Sequence, residues 1–417
     1  MDFTFGPEVD AFRAEAREWL AAHVPSAPVT QTRTSRVPGT GGSGTALAAA
    51  PAAAPGAAAP GVADAPDRRA WERTLGAAGW IGLGWSGEYG GNRRASLAQQ
   101  VAWGEEYARV GAPVRAGHIG EKLLAPTLEA HGTPEQCARF LPAVARGEEL
   151  WCQGYSEPGA GSDLAGVRTA AVRDPSDGSY RVSGQKIWTS LARDADWCFV
   201  LARTEPGSRR HHGLSFLLLP MDQPGAVEVR PIRQMSGAAD FNEVFFDGAR
   251  ATELVGAEGG GWQVAMALLG FERGVSTLVQ QIGFTREWEE VAEAARRNNA
   301  LHDPIIRQQL IRLWAELRTM RWNALRTLGT ADTAAPSTAK LLWAGWHQRL
   351  GELAMTVRGP AAATGPRDWR PETPYELDAA QHLFLFSRAD TIYGGSDEVQ
   401  RTIIAERVLG LPKEPRG

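Results

Sequence analysis

Cysteine is scarce in this chain. Three residues in 417, Cys137, Cys152 and Cys198, show no metal-ligand or redox spacing. That excludes a disulfide scaffold and a cysteine-built metal module, and it suits a reduced cytoplasmic compartment. Also lacking is any apolar run of about 18 residues, so no stretch reads as a membrane-spanning helix. The opening "MDFTFGPEVDAF" carries acids and no apolar core, and does not read as a secretory signal. Neither sign of charge dominates: 44 basic residues face 48 acidic ones. No broad field is expected to draw nucleic acid or an anionic membrane. Between residues 25 and 66 an apolar period is missing altogether. Seven prolines fall there among Ala, Gly and Ser, which reads as a flexible exposed insertion, with a partner-docking loop as the alternative.

What is present is helix, then sheet, then helix. Residues 8–24 place Val9, Phe12, Ala16, Trp19 and Leu20 on one helical face. Helical patterning returns from about Asp67 to Glu149, punctuated by Gly and Pro. From Trp151 the period shortens: "YRVSGQKIWTS", "WCFVLART", "LSFLLLPM", "VEVRPI" and "NEVFFD" are β-branched and aromatic runs split by turn residues. After "GAEGGGW" the helical period lasts to the end. Segregated elements in this order predict an α+β chain. We expect an N-terminal helical domain over 1–150, a middle β-barrel-like domain over 151–255 and a C-terminal helical bundle over 256–417. Fifteen tryptophans are an unusual aromatic supply, which cores and flavin or acyl pockets both use.

The middle part opens with "WCQGYSEPGAGSDLAGVRTAAV", and "GQKIWTS" follows about twenty residues on. Gly159 and Gly161 let the backbone turn sharply and expose its N–H groups, and Ser162 adds a hydroxyl. Such a concavity suits a diphosphate or a flavin edge. With "EYGG" before it and "TIYGGSDEVQRTIIAERVLGLP" near the end, the chain resembles the acyl-CoA dehydrogenase family over nearly its whole length outside 25–66. The resemblance implies FAD. Tyr155, Ser156, Gly161 and Ser162 are then expected to line the flavin, Ser162 reaching the substrate as well. Trp188 is expected to pack on the flavin ring, and Ser190, where threonine is usual, to bond flavin N5.

Many family members read I-Y-E-G-T near the C-terminus, where the glutamate is the catalytic base. Here that position is Gly394. In "GGGWQVAMALLGFERGVSTLVQQIG" a helix is expected from about Trp262 to Ile282. It puts Glu272 on one face with Leu268, Leu269, Val275 and Val279. A carboxylate in an apolar stripe has its pKa raised by burial, which suits a general base. The resemblance agrees: members with glycine or alanine in the loop carry the base on this helix, directly before an arginine, here Arg273. The alternative for Glu272 is an ion pair at a helix interface. By resemblance the Gly394 N–H helps hold the thioester oxygen. Tyr393, Leu269 and Arg273 are expected at the substrate, and Ser396 and Glu398 at the cofactor. Asp397 and Gln400 are spaced like a capping box.

The pattern departs from the family where a dimer partner's FAD is usually gripped. R-x-x-F-G becomes Arg297 or Asn298 with Leu301; Gln309 stands for the downstream glutamine, and Met355 replaces the glutamine of Q-x-x-G-G. This resembles actinobacterial relatives that pair two different subunits. The reading is α,β-dehydrogenation of an acyl thioester, on CoA or a carrier protein, to the trans-2-enoyl product. Electrons would pass to an electron-transfer flavoprotein within a homo- or hetero-oligomer. No metal is expected. The rivals are a flavin monooxygenase or oxidase on the same fold, and a non-catalytic partner subunit.

Overall fold

In a computed structural model of the chain, the described residues are 5–25, 65–272, 276–327, 335–364 and 377–413. Of the flexible insertion expected over 25–66, residues 26–64 lie outside them, while Ala65 and Pro66 already belong to a helix, Ala65–Ala77.

Helix α1 (Pro7–His23) buries Val9, Phe12, Ala16 and Leu20, the spacing that its sequence sets. It packs along α3 (Leu97–Arg109), and α2 (Ala65–Ala77) completes the group. Their core is aromatic: Trp80 and Trp103 stack at 4.1 Å, with Trp19 and Trp71 against them. Much of the tryptophan surplus is thus spent on packing. A π-helical turn (Gly120–Leu124) leads into α4 (Ala125–His131), then α5 (Pro134–Ala145). Ser96 with Gln99 and Thr133 with Gln136 form capping boxes on α3 and α5.

Eight strands follow: β1 (Trp151–Gly154), β2 (Ala170–Arg173), β3 (Tyr180–Ser190), β4 (Trp197–Arg203), β5 (Leu214–Pro220), β6 (Val227–Ile232), β7 (Phe241–Ala251) and β8 (Glu253–Val255). They form a sheet in the order β6-β7-β3-β2-β4-β5-β8, with β1 parallel to β4. The ladder ends at β6 and β8, so the barrel-like expectation sharpens to an open mixed sheet. Strand β4 shows why the runs are so apolar. Phe199 and Leu201 join the core under the helices, while Cys198, Val200 and Ala202 join a second core on the opposite face.

Helix α6 (Gly261–Glu272) lies on β5, α4 and the π-helical turn. Its first residue must be small: a Cβ on Gly261 would come within 2.4 Å of the Ser215 backbone. The bundle consists of α7 (Ser276–Arg297), α8 (Pro304–Thr327), α9 (Ala335–Arg358), α10 (Ala379–Phe386) and α11 (Asp397–Ile403), around Phe284, Leu313, Trp346 and Leu350. Among the described residues no helix is long and apolar enough to cross a membrane.

Candidate active site

The β3–β7 ladder shifts register between Lys186 and Thr189. At that bulge Trp188 sits at φ 61°, a left-handed conformation that a bulky side chain adopts only when its surroundings impose it. Its ring is 55% exposed and meets Phe241 edge-on at 6.0 Å. Strained residues gather at functional sites. Thr189 points the other way, fully buried, and its hydroxyl has no hydrogen-bond partner. Ser190 is half-buried on the same side as Trp188 and opposite Phe241. The pair expected at the flavin is therefore presented together, with the indole face open.

Beside it runs the loop 155–162. Its anchor is Lys186, fully buried, whose ammonium donates to the carbonyls of Tyr155 (3.0 Å) and Leu201 (2.8 Å) and to Glu157 Oε1 (2.9 Å). Glu157 also accepts from the Arg168 and Thr169 N–H groups. Burial works to raise the Glu157 pKa, but Lys186 and these bonds outweigh it and hold the carboxyl below its usual range. Burial pulls the Lys186 amine down. Ser156 accepts from the Ile187 N–H at 2.9 Å, so the loop is strapped to β3 just before Trp188. Gly161 and Ser162 are exposed, and a Cβ on Gly159 or Gly161 would touch nothing within 4 Å. A cavity of about 320 Å³ opens between Pro158–Gly159 and Gly184–Gln185, with Arg168 on its wall. The Tyr155 ring faces the core, buried edge-on to Phe199 and Phe216, and its backbone carbonyl accepts from Lys186. An aromatic ring in the strand-to-loop step gains more from the core beneath than from the surface.

Glu272 ends α6, one turn beyond the fully buried Leu268. Leu269 is half-buried against the core that also holds Leu191, the residue after Ser190. Arg273 lies outside the described residues, as do the side chains of Glu272, Val275 and Val279. The helix expected as one piece is therefore described as α6 and α7 on either side of 273–275.

The remaining group belongs to the bundle, reached in the chain through α6 and α7. Gly394 is exposed at φ 64°, with open space where a Cβ would stand. Tyr393 donates its hydroxyl to Asp390 Oδ1 at 2.7 Å and packs on Trp343. Gln400 donates to the carbonyls of Gly394 (3.3 Å) and Gly395 (3.2 Å). The expected capping box is off by one residue: Ser396 is the N-cap of α11, its hydroxyl accepting from the Val399 N–H, while Gln400 holds the loop instead. Glu398 is exposed in the first turn of α11.

Where the family pattern lapses, the side chains do structural work. Asn298 donates to the Val357 carbonyl, Leu301 packs on the bundle core, and Arg297 is exposed beside Glu293. A cavity of about 480 Å³ opens there, with Ala294, Arg297, Val357, Arg358 and Asp378 among its walls.

Two arrangements escaped the sequence reading. One is the Lys186–Glu157 pair; β3 carries Arg181, Ser183 and Gln185 as well, so nothing in its sequence marks Lys186 as the cation that turns inward. The other is His347, buried between Glu287 (Nε2 to Oε2, 2.8 Å) and Asp390 (Nδ1 to Oδ2, 2.5 Å). Its members lie far apart in sequence, and no local period marks them.

Residues 48–148, 152–249 and 259–409 match the N-terminal, middle and C-terminal domains of acyl-CoA dehydrogenase. The acyl-CoA dehydrogenase IpdE1 of Mycobacterium tuberculosis (strain ATCC 25618 / H37Rv) is 52% identical over 415 residues, covering 98% of this chain and 100% of that one. Among solved structures, the Tcur3481-Tcur3483 steroid ACAD is 29% identical with a TM-score of 0.79, covering 99% of this chain and 100% of that one. The ChsE4-ChsE5 complex from Mycobacterium tuberculosis is also 29% identical, with a TM-score of 0.75 over 99% of this chain and 100% of that one. The chain belongs to the acyl-CoA dehydrogenase family, flavoprotein oxidoreductases that act on CH–CH donors.

Proposed function

We propose that this protein binds FAD and removes the α- and β-hydrogens of an acyl-CoA to give the trans-2-enoyl thioester. The observation that carries the proposal is Trp188, held exposed in a strained conformation beside Ser190. Its open face fits a flat ring, and the Ser190 hydroxyl fits a donor to that ring's edge. The exposed glycine loop with Ser162 fits a phosphate-bearing chain alongside. When bound, FAD supplies the acceptor for the β-hydrogen as hydride. Glu272, at the end of an apolar helix, takes the α-proton. The Gly394 N–H donates to the thioester oxygen as charge develops there. Tyr393, Leu269 and Arg273 are assigned to substrate binding. Ser396 and Glu398 lie toward the cofactor. We keep 1–150, 151–255 and 256–417 as the domains.

The relatives refine this reading. A steroid-active neighbour supports a polycyclic or ring-bearing acyl group. Two-chain neighbours, together with Asn298, Leu301 and Met355 in the altered FAD-gripping segments, support a hetero-oligomer whose second subunit completes the adenine end. An electron-transfer flavoprotein is the expected acceptor, and the cytoplasm the expected compartment.

The test is anaerobic. The purified protein, alone or with its partner subunit, should be yellow and should bleach on adding an acyl-CoA with a ring-bearing chain. A protein that stays colourless after incubation with FAD and with candidate partner subunits overturns the reading. Rapid reoxidation by air after bleaching would instead favour an oxidase.

A further inference from the structure

Asp390 opens the loop that carries Tyr393 and Gly394, and it is fully buried. Its two carboxylate oxygens go different ways. Oδ1 accepts the Tyr393 hydroxyl at 2.7 Å, and Oδ2 meets His347 Nδ1 at 2.5 Å. The other nitrogen of His347 meets Glu287 Oε2 at 2.8 Å. Lys340 donates to the Asp390 carbonyl, and its ammonium stands 4.1 Å from the Trp343 ring centre and 4.8 Å from that of Tyr393. One buried carboxylate thus joins α9 to the loop, and through His347 to α7. The charges balance: Glu287 and Asp390 stand against Lys340 and an imidazolium that the two carboxylates favour over burial.

Taking such charges out of water is costly, and apolar side chains of the same volume would hold the helices about as well. What a fully partnered network adds to packing is a single geometry. Here that geometry is passed to the Tyr393–Gly394 peptide, a planar unit whose N–H belongs to Gly394. The unit is held from both ends. On one side Gln400 donates to the Gly394 and Gly395 carbonyls, and Gly394 takes a φ of 64° that glycine adopts freely. On the other side the Tyr393 N–H donates to the Ala389 carbonyl at 3.1 Å. The Tyr393 side chain then reaches back into the bundle, with its ring near Trp343 and its hydroxyl on Asp390.

We infer that Asp390 is a positioning residue for the proposed dehydrogenation: braced by His347 and Lys340, it anchors the Tyr393 hydroxyl and so keeps the Gly394 N–H aimed at the thioester oxygen. The inference rests on the acyl-CoA dehydrogenase reading above. Asp390 acts through Tyr393, whose polar end is turned into the bundle. Loss of that anchor frees the tyrosine end of the peptide to rotate. The N–H then meets the oxygen for only part of the time, just when enolate charge needs a donor. Binding of the resting thioester draws on the whole acyl and CoA chain and depends little on this one bond. The effect therefore falls on the rate of the chemical step and not on substrate affinity.

The experiment uses the flavin-loaded protein, with its partner subunit if that is needed for colour. One readout is the limiting rate of anaerobic flavin reduction by cyclohexylpropanoyl-CoA, together with the concentration that gives half that rate. The other is the thioester C=O stretch of bound cyclohexylacryloyl-CoA, isotope-labelled at the carbonyl carbon and read by difference infrared spectroscopy. In the wild type the stretch should lie below its value in water. Tyr393→Phe should slow the limiting rate by roughly 10- to 100-fold, short of the loss of an oxyanion donor outright. Half-saturation should change by less than about threefold, and the stretch should return toward its value in water. Asp390→Asn should do the same; if it does not fold, Tyr393→Phe, which removes a single oxygen, carries the test. Leu313→Ala, a cavity in the same bundle core, should lower the melting temperature with rate and stretch unchanged. A wild-type rate in Tyr393→Phe, or a slower rate with an unmoved stretch, overturns the inference. Bleaching of the wild type with no downward shift of the stretch would take Gly394 off the thioester oxygen and the inference with it, leaving the dehydrogenase reading standing. A wild type bleached neither by this acyl-CoA nor by butanoyl-CoA takes both down.

Discussion

Lys186 Nζ lies 2.9 Å from Glu157 Oε1 in the interior, and the pair joins the two segments that present the proposed flavin site. Lys186 is on β3, two residues before Trp188. Glu157 is in the glycine loop. Every proton of the ammonium has an acceptor, and the carboxylate gathers two backbone N–H groups besides. Removing one partner should therefore hurt more than removing both. Lys186→Met strands a buried carboxylate, and the expected cost is about 3–5 kcal/mol. Adding Glu157→Leu to it should recover part of the loss, because the uncompensated charge goes too. Denaturant titration of the single and double variants checks this. A double variant no more stable than Lys186→Met would show that the pair is not the cause.

Trp188 trades stability for presentation. Its left-handed backbone costs roughly 1–2 kcal/mol for an L side chain, and its ring, more than half exposed, gains little by burial. Trp188→Gly should consequently leave thermal stability within about 1 kcal/mol of wild type. The same change should weaken FAD retention about tenfold or more, read as free flavin after desalting. A variant that keeps its flavin with wild-type affinity would remove the indole from the site.

The division between legible and hidden features follows from range. Helix α1 was readable because Val9, Phe12, Ala16 and Leu20 repeat at helical spacing and all turn inward. The strands were readable from β-branched runs between turns, although β4, buried on both faces, shows no alternation. The glycine loop and Trp188 were found by resemblance, and the strain at Trp188 was invisible, since nothing in "KIWTS" announces a bulge. The direction of the Tyr155 ring was not legible, because a loop aromatic can face either way and only the neighbouring Phe199 and Phe216 decide. The cap of α11 slipped by one residue because Ser396 and Asp397 are both good N-cap types. His347 was missed for a different reason. Glu287 and Asp390 lie 60 and 43 residues from it in the chain, and burial of the triad exists only in the folded bundle.

That triad predicts a pH dependence. Burial works against an imidazolium, but Glu287 and Asp390 outweigh it and raise His347 to about 10. A group whose folded pKa is above its unfolded value stabilises fully below the unfolded pKa, about 6.5 for histidine, and loses that contribution as pH rises through the folded value. Stability should accordingly fall between about pH 6.5 and about pH 10. His347→Gln should flatten that slope and lower stability most at the acidic end of the window. Melting temperatures across the window decide: equal slopes in wild type and variant would show that His347 is not charged in the fold.

The base can be tested through its exchange of position with the loop. Glu272→Gln keeps the shape and removes the carboxylate. It should slow flavin reduction by on the order of 10²–10⁴ while FAD and thioester remain bound. Gly394 stands in open space, so Gly394→Glu meets no steric barrier, although its φ of 64° imposes about 1–2 kcal/mol on any L side chain. In the Glu272→Gln background this second change should restore part of the rate, because a carboxylate again reaches the α-carbon from the loop side. Alone, Gly394→Glu should be impaired, since two carboxylates would crowd one C–H and raise each other's pKa. Rapid anaerobic mixing isolates this step from electron transfer. Reduction at the wild-type rate in Glu272→Gln would mean that the proton leaves by another group, and the assignment of the base to α6 would have to be abandoned.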